Sequence, residues 1–240
     1  MPPPAPTSQA IENYLKAILA ERGAEGRAAV GALARHLRVT PGTVTSMVKR
    51  LARRGLVQHE RYGGVALSAA GERAALAVLR RHRLIETFLV RVLGLDWSEV
   101  HEEAERLEHA LSDRVLDRLD AFLGHPATDP HGDPIPGPGT RRGSRGTGST
   151  RAGGERLLPL SELPAGGEGR VRRVLDQSAE FLRFLDRHGL KPGALVRVEA
   201  ADAAGGTLRI RRGRRAPVSV GAAAAARMLV LPAVRGGPTR

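Results

Sequence analysis

The stretch Val39-Thr-Pro-Gly-Thr-Val-Thr-Ser-Met-Val-Lys-Arg-Leu-Ala-Arg-Arg-Gly55 decides how the front of this 240-residue chain is built. Thr40 suits a helix N-cap, because its hydroxyl can accept from a backbone N–H that the first turn leaves without a partner. Pro41 suits the first helical position, where its missing N–H costs nothing. Val44, Met47, Val48 and Leu51 then recur at helical spacing as an inward face, and Gly55 ends the helix. Upstream, Ile11, Tyr14, Leu15, Ile18 and Leu19 share one face of an earlier helix. Gly23 and Gly26 bracket its end, and Val30, Leu33, Ala34 and Leu37 mark a short second helix. Downstream, Leu56-Val-Gln-His-Glu-Arg-Tyr-Gly-Gly-Val-Ala-Leu67 predicts a hairpin turning at Gly63-Gly64.

Helix, helix, turn, helix, hairpin is a winged helix-turn-helix, in which the helix after the turn enters a DNA major groove and the hairpin lies along the backbone. The outward positions of that helix are Thr43, Thr45, Ser46, Lys49, Arg50 and Arg53, with Thr40 at its start. Hydroxyls and cations of this kind suit phosphates and base edges. The competing reading is an ordinary solvated helix face.

Charge is unevenly spread. The chain carries 38 Lys+Arg against 25 Asp+Glu, a net charge of +13. Residues 1–70 hold +6 of it, residues 71–125 hold −3, residues 126–155 hold +1 and residues 156–240 hold +9. A basic front half suggests nucleic acid, and a local acidic excess with histidines suggests a cation site. With no cysteine, disulfides, Fe–S clusters, thiolate zinc sites and cysteine nucleophiles are excluded. No apolar run approaches the roughly 20 residues that span a bilayer, and Met1-Pro-Pro-Pro4 is not a signal peptide, so a cytoplasmic protein without membrane partners is expected. Only 7 residues are Phe, Trp or Tyr, which argues against a single-strand binder built on aromatic stacking.

Four segments follow from these patterns: 1–70, the winged helix; 71–125, mostly helical; 126–155, a flexible Pro-, Gly- and Arg-rich linker; and 156–240, a small β-barrel of short strands around a helix over Ser178 to His188. The helical segment breaks at Gly94, and Asp96 with Glu99 predicts a capping box for a helix running on to Leu111. His82 and Glu86 lie one turn apart on the first of its helices. His101, Glu105, Glu108 and His109 share a face of the next. Imidazoles and carboxylates facing across a helix pair are what a divalent ion needs, and without sulfur they suit Mn(II) or Fe(II) better than Cu(I), while Zn(II) could also bind. Each motif alone is common on solvated helix faces; two in adjacent helices beside a DNA-binding unit are not.

The segments Glu12-Asn-Tyr-Leu-Lys-Ala-Ile18, Val44-Thr-Ser-Met-Val-Lys-Arg-Leu51, Arg81-His-Arg-Leu-Ile-Glu86, Gly94-Leu-Asp96, Val100-His-Glu-Glu-Ala-Glu-Arg-Leu-Glu-His109, Leu111-Ser-Asp113 and Gly132-Asp-Pro-Ile-Pro-Gly137 together resemble the diphtheria toxin repressor and manganese transport regulator family of metal-dependent repressors. The resemblance spans nearly the whole chain and implies a mainly α fold with a small β-barrel. Its parts would be a winged helix-turn-helix, a helical dimerisation and metal domain, and a C-terminal FeoA-like barrel of SH-three type.

It also implies two metal sites. One would use His82, Glu86 and His101, completed from the barrel by Gln177 and Glu180, which here stand in the reverse of the family order. The other would use Glu105, Glu108, His109 and Asn13, with Glu12 the neighbour that would substitute. Glutamate at 105, where iron-type members have cysteine, favours Mn(II) over Fe(II); Asn13 fits neither type. The implied function is a homodimeric repressor of metal-uptake genes on palindromic double-stranded DNA. Its dimer contact or domain core would draw on Leu84, Phe88, Leu89 and Leu111. An iron-responsive repressor is the alternative within the family, and a metal-dependent hydrolase the alternative outside it.

Overall fold

The computed structural model describes residues 8–23, 25–60, 63–138, 151–152, 155–202 and 204–233. They group into two compact units. The first takes Met1–Ile85, Glu105–Leu119 and Ile135–Thr147; the second takes Glu86–Ala104, Asp120–Pro134 and Gly148–Arg240.

The first unit opens with α1 (Gln9–Glu21), β1 (Arg27–Ala28), α2 (Val30–His36), α3 (Pro41–Arg53), β2 (Val57–Glu60) and β3 (Gly64–Leu67). Helix α3 forms as its sequence dictates. Thr43 N–H donates to the Thr40 hydroxyl at 3.2 Å, and Gly55 takes the left-handed conformation at φ 69° that closes the helix. Ile11, Leu15 and Ile18 of α1 pack with Leu33, Val44, Val48 and Leu51 in one buried cluster. Truncating one of these leucines to alanine costs about 3 kcal/mol in such a core. The three strands run in the order β1-β3-β2, all antiparallel.

Two details differ from the sequence reading. Strand β1 was not legible, because two residues show no periodicity; only pairing with Val65 and Ala66 defines it. Gly64 is not in the hairpin turn but in β3, opposite Glu60. Helix α4 (Ala69–Arg91) starts against the wing: a Cβ on Gly71 would lie 1.9 Å from the Leu56 carbonyl oxygen, so only glycine allows that approach.

Helices α4, α5 (Val100–Leu107) and α6 (Asp113–Phe122) each contribute to both units. The expected helix to Leu111 ends at Leu107 instead, and Ala110 N–H turns back to the Leu107 carbonyl at 3.0 Å. Glu108 and His109 therefore lie in that turn, past the end of the helix that holds His101 and Glu105.

The second unit holds the β domain. After a two-strand ribbon of β4 (Arg151–Ala152) and β5 (Glu155–Arg156), its antiparallel sheet is built from β6 (Leu158–Pro159), β7 (Glu168–Val174), β8 (Leu195–Asp202), β9 (Thr207–Arg211), β10 (Val218–Gly221) and β11 (Met228–Pro232). The order is β10-β9-β8-β7-β11-β6. Alternate residues Val196, Val198, Leu208 and Ile210 face a core that also takes Leu182 and Leu185 of α7 (Ala179–His188) and, from before α5, Trp97. The sequence reading had no strand at β10.

The linker over 126–155 is corrected at its front. Residues 126–134 belong to the second unit, with Asp129, His131, Gly132 and Asp133 buried. The composition is linker-like because this segment is a tight loop, which uses the same Pro and Gly residues. Residues 139–150 of the expected linker lie outside the described residues. Among the described residues, no helix is long and apolar enough to cross a membrane.

Leu84 and Leu89 are buried within the chain, whereas Phe88 and Leu111 are half-buried. The exposed large apolar side chains of the helical segment are instead Val92, Leu93, Leu107, Val115 and Phe122.

Candidate metal centres and candidate DNA-facing helix

In the first unit, one ligand atom from each of His82, Glu105 and Glu108 lies within 4.8 Å of the others. Glu108 is fully buried. Its Oε2 sits 2.6 Å from His82 Nδ1 and its Oε1 is 2.7 Å from Lys16 Nζ. Lys16 also donates to Glu105 Oε1 at 2.6 Å. Burial pushes the Glu108 carboxyl up, but hydrogen bonds and charge from His82 and Lys16 outweigh it, and the group is held below the usual carboxylate range. His109 Nδ1 pairs with Glu12 Oε2 at 2.7 Å, and Arg81 donates to the Glu108 backbone carbonyl at 3.1 Å.

These residues fit a divalent cation. Donors around a metal with bonds of about 2.1 Å stand roughly 3–4 Å apart, and here His82 Nδ1 is 2.6 Å from Glu108 Oε2 and 4.0 Å from Glu105 Oε1. Two buried atoms nearby on the chain, Asn13 Oδ1 and His109 Nε2, make no hydrogen bond among the described residues; His109 Nε2 is 3.4 Å from Glu108 Oε1. Of the second expected set, then, Glu105 and Glu108 converge, with His109 against Glu108. Asn13 is placed on α1 beside Glu12, and it is Glu12 that reaches His109.

In the second unit, His101 Nδ1 lies 3.3 Å from Glu86 Oε1. Glu86 is one helical turn along α4 from His82. Glu180 is not part of the His, Asp and Glu groups that could hold a metal among the described residues. Gln177 donates to Asp133 Oδ2 at 2.9 Å, and Glu180 is exposed in the first turn of α7, where a carboxylate favours the helix dipole.

A group that sequence reasoning missed lies beside Glu86: Asp129 and His131, with one ligand atom from each of the three within 4.8 Å of the others and all three buried. His131 Nε2 donates to the Trp97 carbonyl at 2.9 Å, and the ring stacks on Trp97. That bond fixes the proton on Nε2 and leaves Nδ1 as a lone-pair donor, 3.9 Å from Glu86 Oε2 and without a hydrogen bond among the described residues. Asp129 Oδ1 accepts from His131 N–H and Asp133 N–H, each at 2.9 Å, and so folds the loop that presents them. The available signal was the density of ligand-type residues in Asp129-Pro-His-Gly-Asp133.

On α3, Thr40, Thr43, Ser46, Lys49, Arg50 and Arg53 are exposed and Thr45 is half-buried. Thr45 donates its hydroxyl proton to the Pro41 carbonyl at 2.9 Å, and the Thr40 and Thr43 hydroxyls bond each other at 2.9 Å. The helix carries no acidic residue, and Lys49, Arg50 and Arg53 form no ion pair among the described residues. Three cations without an ion pair among the described residues, on one short helix, are not the interleaved charges of an ordinary solvated face.

Comparison with known proteins adds to this geometry. Residues 6–65 match the N-terminal DNA-binding domain of the iron-dependent repressors. Residues 68–137 match their metal-binding and dimerisation domain, and residues 158–232 match the FeoA domain. The chain is 37% identical over 177 residues to the iron-dependent repressor of Mycobacterium leprae, covering 71% of this chain and 75% of that one. It is 39% identical over 195 residues to the diphtheria toxin repressor of Corynebacterium diphtheriae, covering 74% and 85%. A solved structure of a manganese-dependent transcriptional repressor in complex with manganese is 38% identical, with a TM-score of 0.77 over 93% of this chain and 100% of that chain.

Proposed function

The chain belongs to the iron-dependent repressor family of metal-dependent DNA-binding transcriptional repressors, which are not enzymes, and from that premise we propose that it is a Mn(II)-responsive repressor of metal-uptake genes. The hydrolase alternative falls with the family assignment. The observation that carries the reading is the double duty of α1. Its Ile11, Leu15 and Ile18 are in the core shared with α3, while its Glu12 and Lys16 touch His109, Glu105 and Glu108. A change of charge at the carboxylates therefore reaches the DNA-facing helix through one rigid element.

Bound there, a divalent cation supplies the positive charge that holds the carboxylates together. Glu105, Glu108 and His109 hold it, with His82 or Glu12 and Asn13 beside them, and fix α1 in the DNA-competent arrangement. Glu86 and His101, with Asp129 and His131, form the other site. The donors are carboxylate, amide and imidazole only, which favours Mn(II); the iron-dependent relatives make Fe(II) the competing effector. A homodimer would space two copies of α3 for the half-sites of a palindrome. The reading is tested by operator binding titrated with Mn(II), Fe(II) and Zn(II) in turn. A full response at saturating Mn(II) supports it, and a full response to Fe(II) with only a partial one to Mn(II) overturns the choice of metal.

Arg50→Ala is expected to weaken operator binding and to lower the dependence of log K on log salt by about 1, the counterion released by one phosphate contact. An unchanged slope in a filter-binding series at several salt concentrations would move Arg50 off the duplex.

A further inference from the structure

Lys16 has no place in either ligand set, yet its ammonium sits where the carboxylates of one set converge. Its Nζ is 2.6 Å from Glu105 Oε1 and 2.7 Å from Glu108 Oε1, and its side chain is 14% exposed. The same Glu105 oxygen is 4.0 Å from His82 Nδ1, and the other Glu108 oxygen is 2.6 Å from it. Two carboxylates this close, one of them fully buried, repel each other and need a cation between them. We infer that Lys16 is a tethered internal cation that occupies the Glu105–Glu108 pair in the metal-free protein and that a divalent ion must displace. The inference rests on the metal-responsive reading above and adds what sets the metal concentration at which the protein responds.

The chemistry favours a lysine for this task. An ammonium offers three N–H donors as a compact point charge, so it satisfies two carboxylate oxygens at once. Its four-carbon stem is flexible and partly solvent-exposed, so it can leave for water without unfolding α1. It supplies one positive charge where a divalent ion supplies two, and it lacks a lone pair while protonated, so it competes with the metal rather than joining it. Glu105 and Glu108 bind it directly, His82 pairs with the other oxygen of Glu108, and His109 Nε2 stands 3.4 Å from the Glu108 oxygen that the ammonium holds. In the metal-free protein the two ion pairs also tie α1 to the last turn of α5 and to the turn after it, keeping the donors assembled.

The test is isothermal titration of the full-length chain with Mn(II), beside thermal denaturation without metal. Lys16→Gln keeps a polar side chain of similar length but removes the competing charge. It is expected to bind Mn(II) about tenfold more tightly, to melt lower than the natural chain without metal, and to gain more in Tm when metal is added. Lys16→Arg keeps the charge in a planar fork suited to carboxylates, and is expected to bind Mn(II) no more tightly than the natural chain. It keeps the inference open to refutation if the glutamine variant does not fold. Equal or weaker Mn(II) binding by Lys16→Gln, with the natural chain binding normally, overturns the inference alone, as does tighter binding by Lys16→Arg. If neither the natural chain nor Lys16→Gln binds Mn(II), Fe(II) or Zn(II), the metal-responsive reading fails and the inference falls with it.

Discussion

Glu108→Gln is expected to remove metal-stimulated operator binding, reducing the response to Mn(II) by roughly 100-fold or more, as loss of a metal-holding group does. The carboxylate is the hub of its site: one oxygen meets His82 at 2.6 Å, the other meets Lys16 at 2.7 Å, and none of the side chain is exposed. The amide keeps the size but loses the charge and one of the two acceptor oxygens. Leaving the half-buried Lys16 with a single carboxylate partner costs about 1–2 kcal/mol, so the variant should also lose stability in urea denaturation. The pH dependence has a definite sign. Because the folded Glu108 carboxyl titrates below its ordinary value, it stabilises the fold above the ordinary carboxylate range, and that contribution disappears as pH falls through the lowered folded value. The glutamine variant should therefore show a flatter acid limb. A variant that answers Mn(II) as the natural chain does would remove Glu108 from the sensor and leave the cluster as a structural ion-pair network.

The winged helix was legible because its signals are local and agree with one another. Thr40, Pro41 and Gly55 punctuate α3, and its apolar positions recur at helical spacing, so no distant contact was needed to find it. The metal-binding helices were half legible. The spacing of His82 and Glu86 on α4 is a property of the helix and held. The expected shared face of His101, Glu105, Glu108 and His109 divides: Glu105, in the helix, and Glu108, in the turn past Leu107, both meet Lys16 and approach His82, while His101 meets Glu86. Lys16 gave no signal because a lysine on an amphipathic helix looks solvated until its partners, 89 and 92 residues away, are placed. Asp129 and His131 were hidden by composition: Pro and Gly mark both a free linker and a tight loop, and only burial separates the two.

That loop sets the last prediction. Gly132→Ala is expected to disrupt the second unit where Asp129 and His131 are presented. Gly132 has φ 87°, a conformation that strains any other residue, and a Cβ there would stand 1.9 Å from the Arg172 carbonyl oxygen, which is backbone of β7 and cannot swing aside. Relieving such an overlap moves the loop or the strand, at a cost of about 3 kcal/mol or more. The neighbouring amide reports it directly, since Val174 N–H in β7 donates to the His131 carbonyl at 2.9 Å. Hydrogen exchange at Val174 should accelerate by roughly 100-fold, the equivalent of that cost. His131→Asn separates folding from metal holding. It removes the Nδ1 donor and the ring that stacks on Trp97, but leaves the backbone of the loop, so Val174 should stay protected while Mn(II) bound at Glu86, Asp129 and His131 is lost. Natural protection at Val174 in Gly132→Ala would mean that the loop does not pack on β7 as described. Full Mn(II) stoichiometry in His131→Asn would return the completion of that site to Gln177 and Glu180.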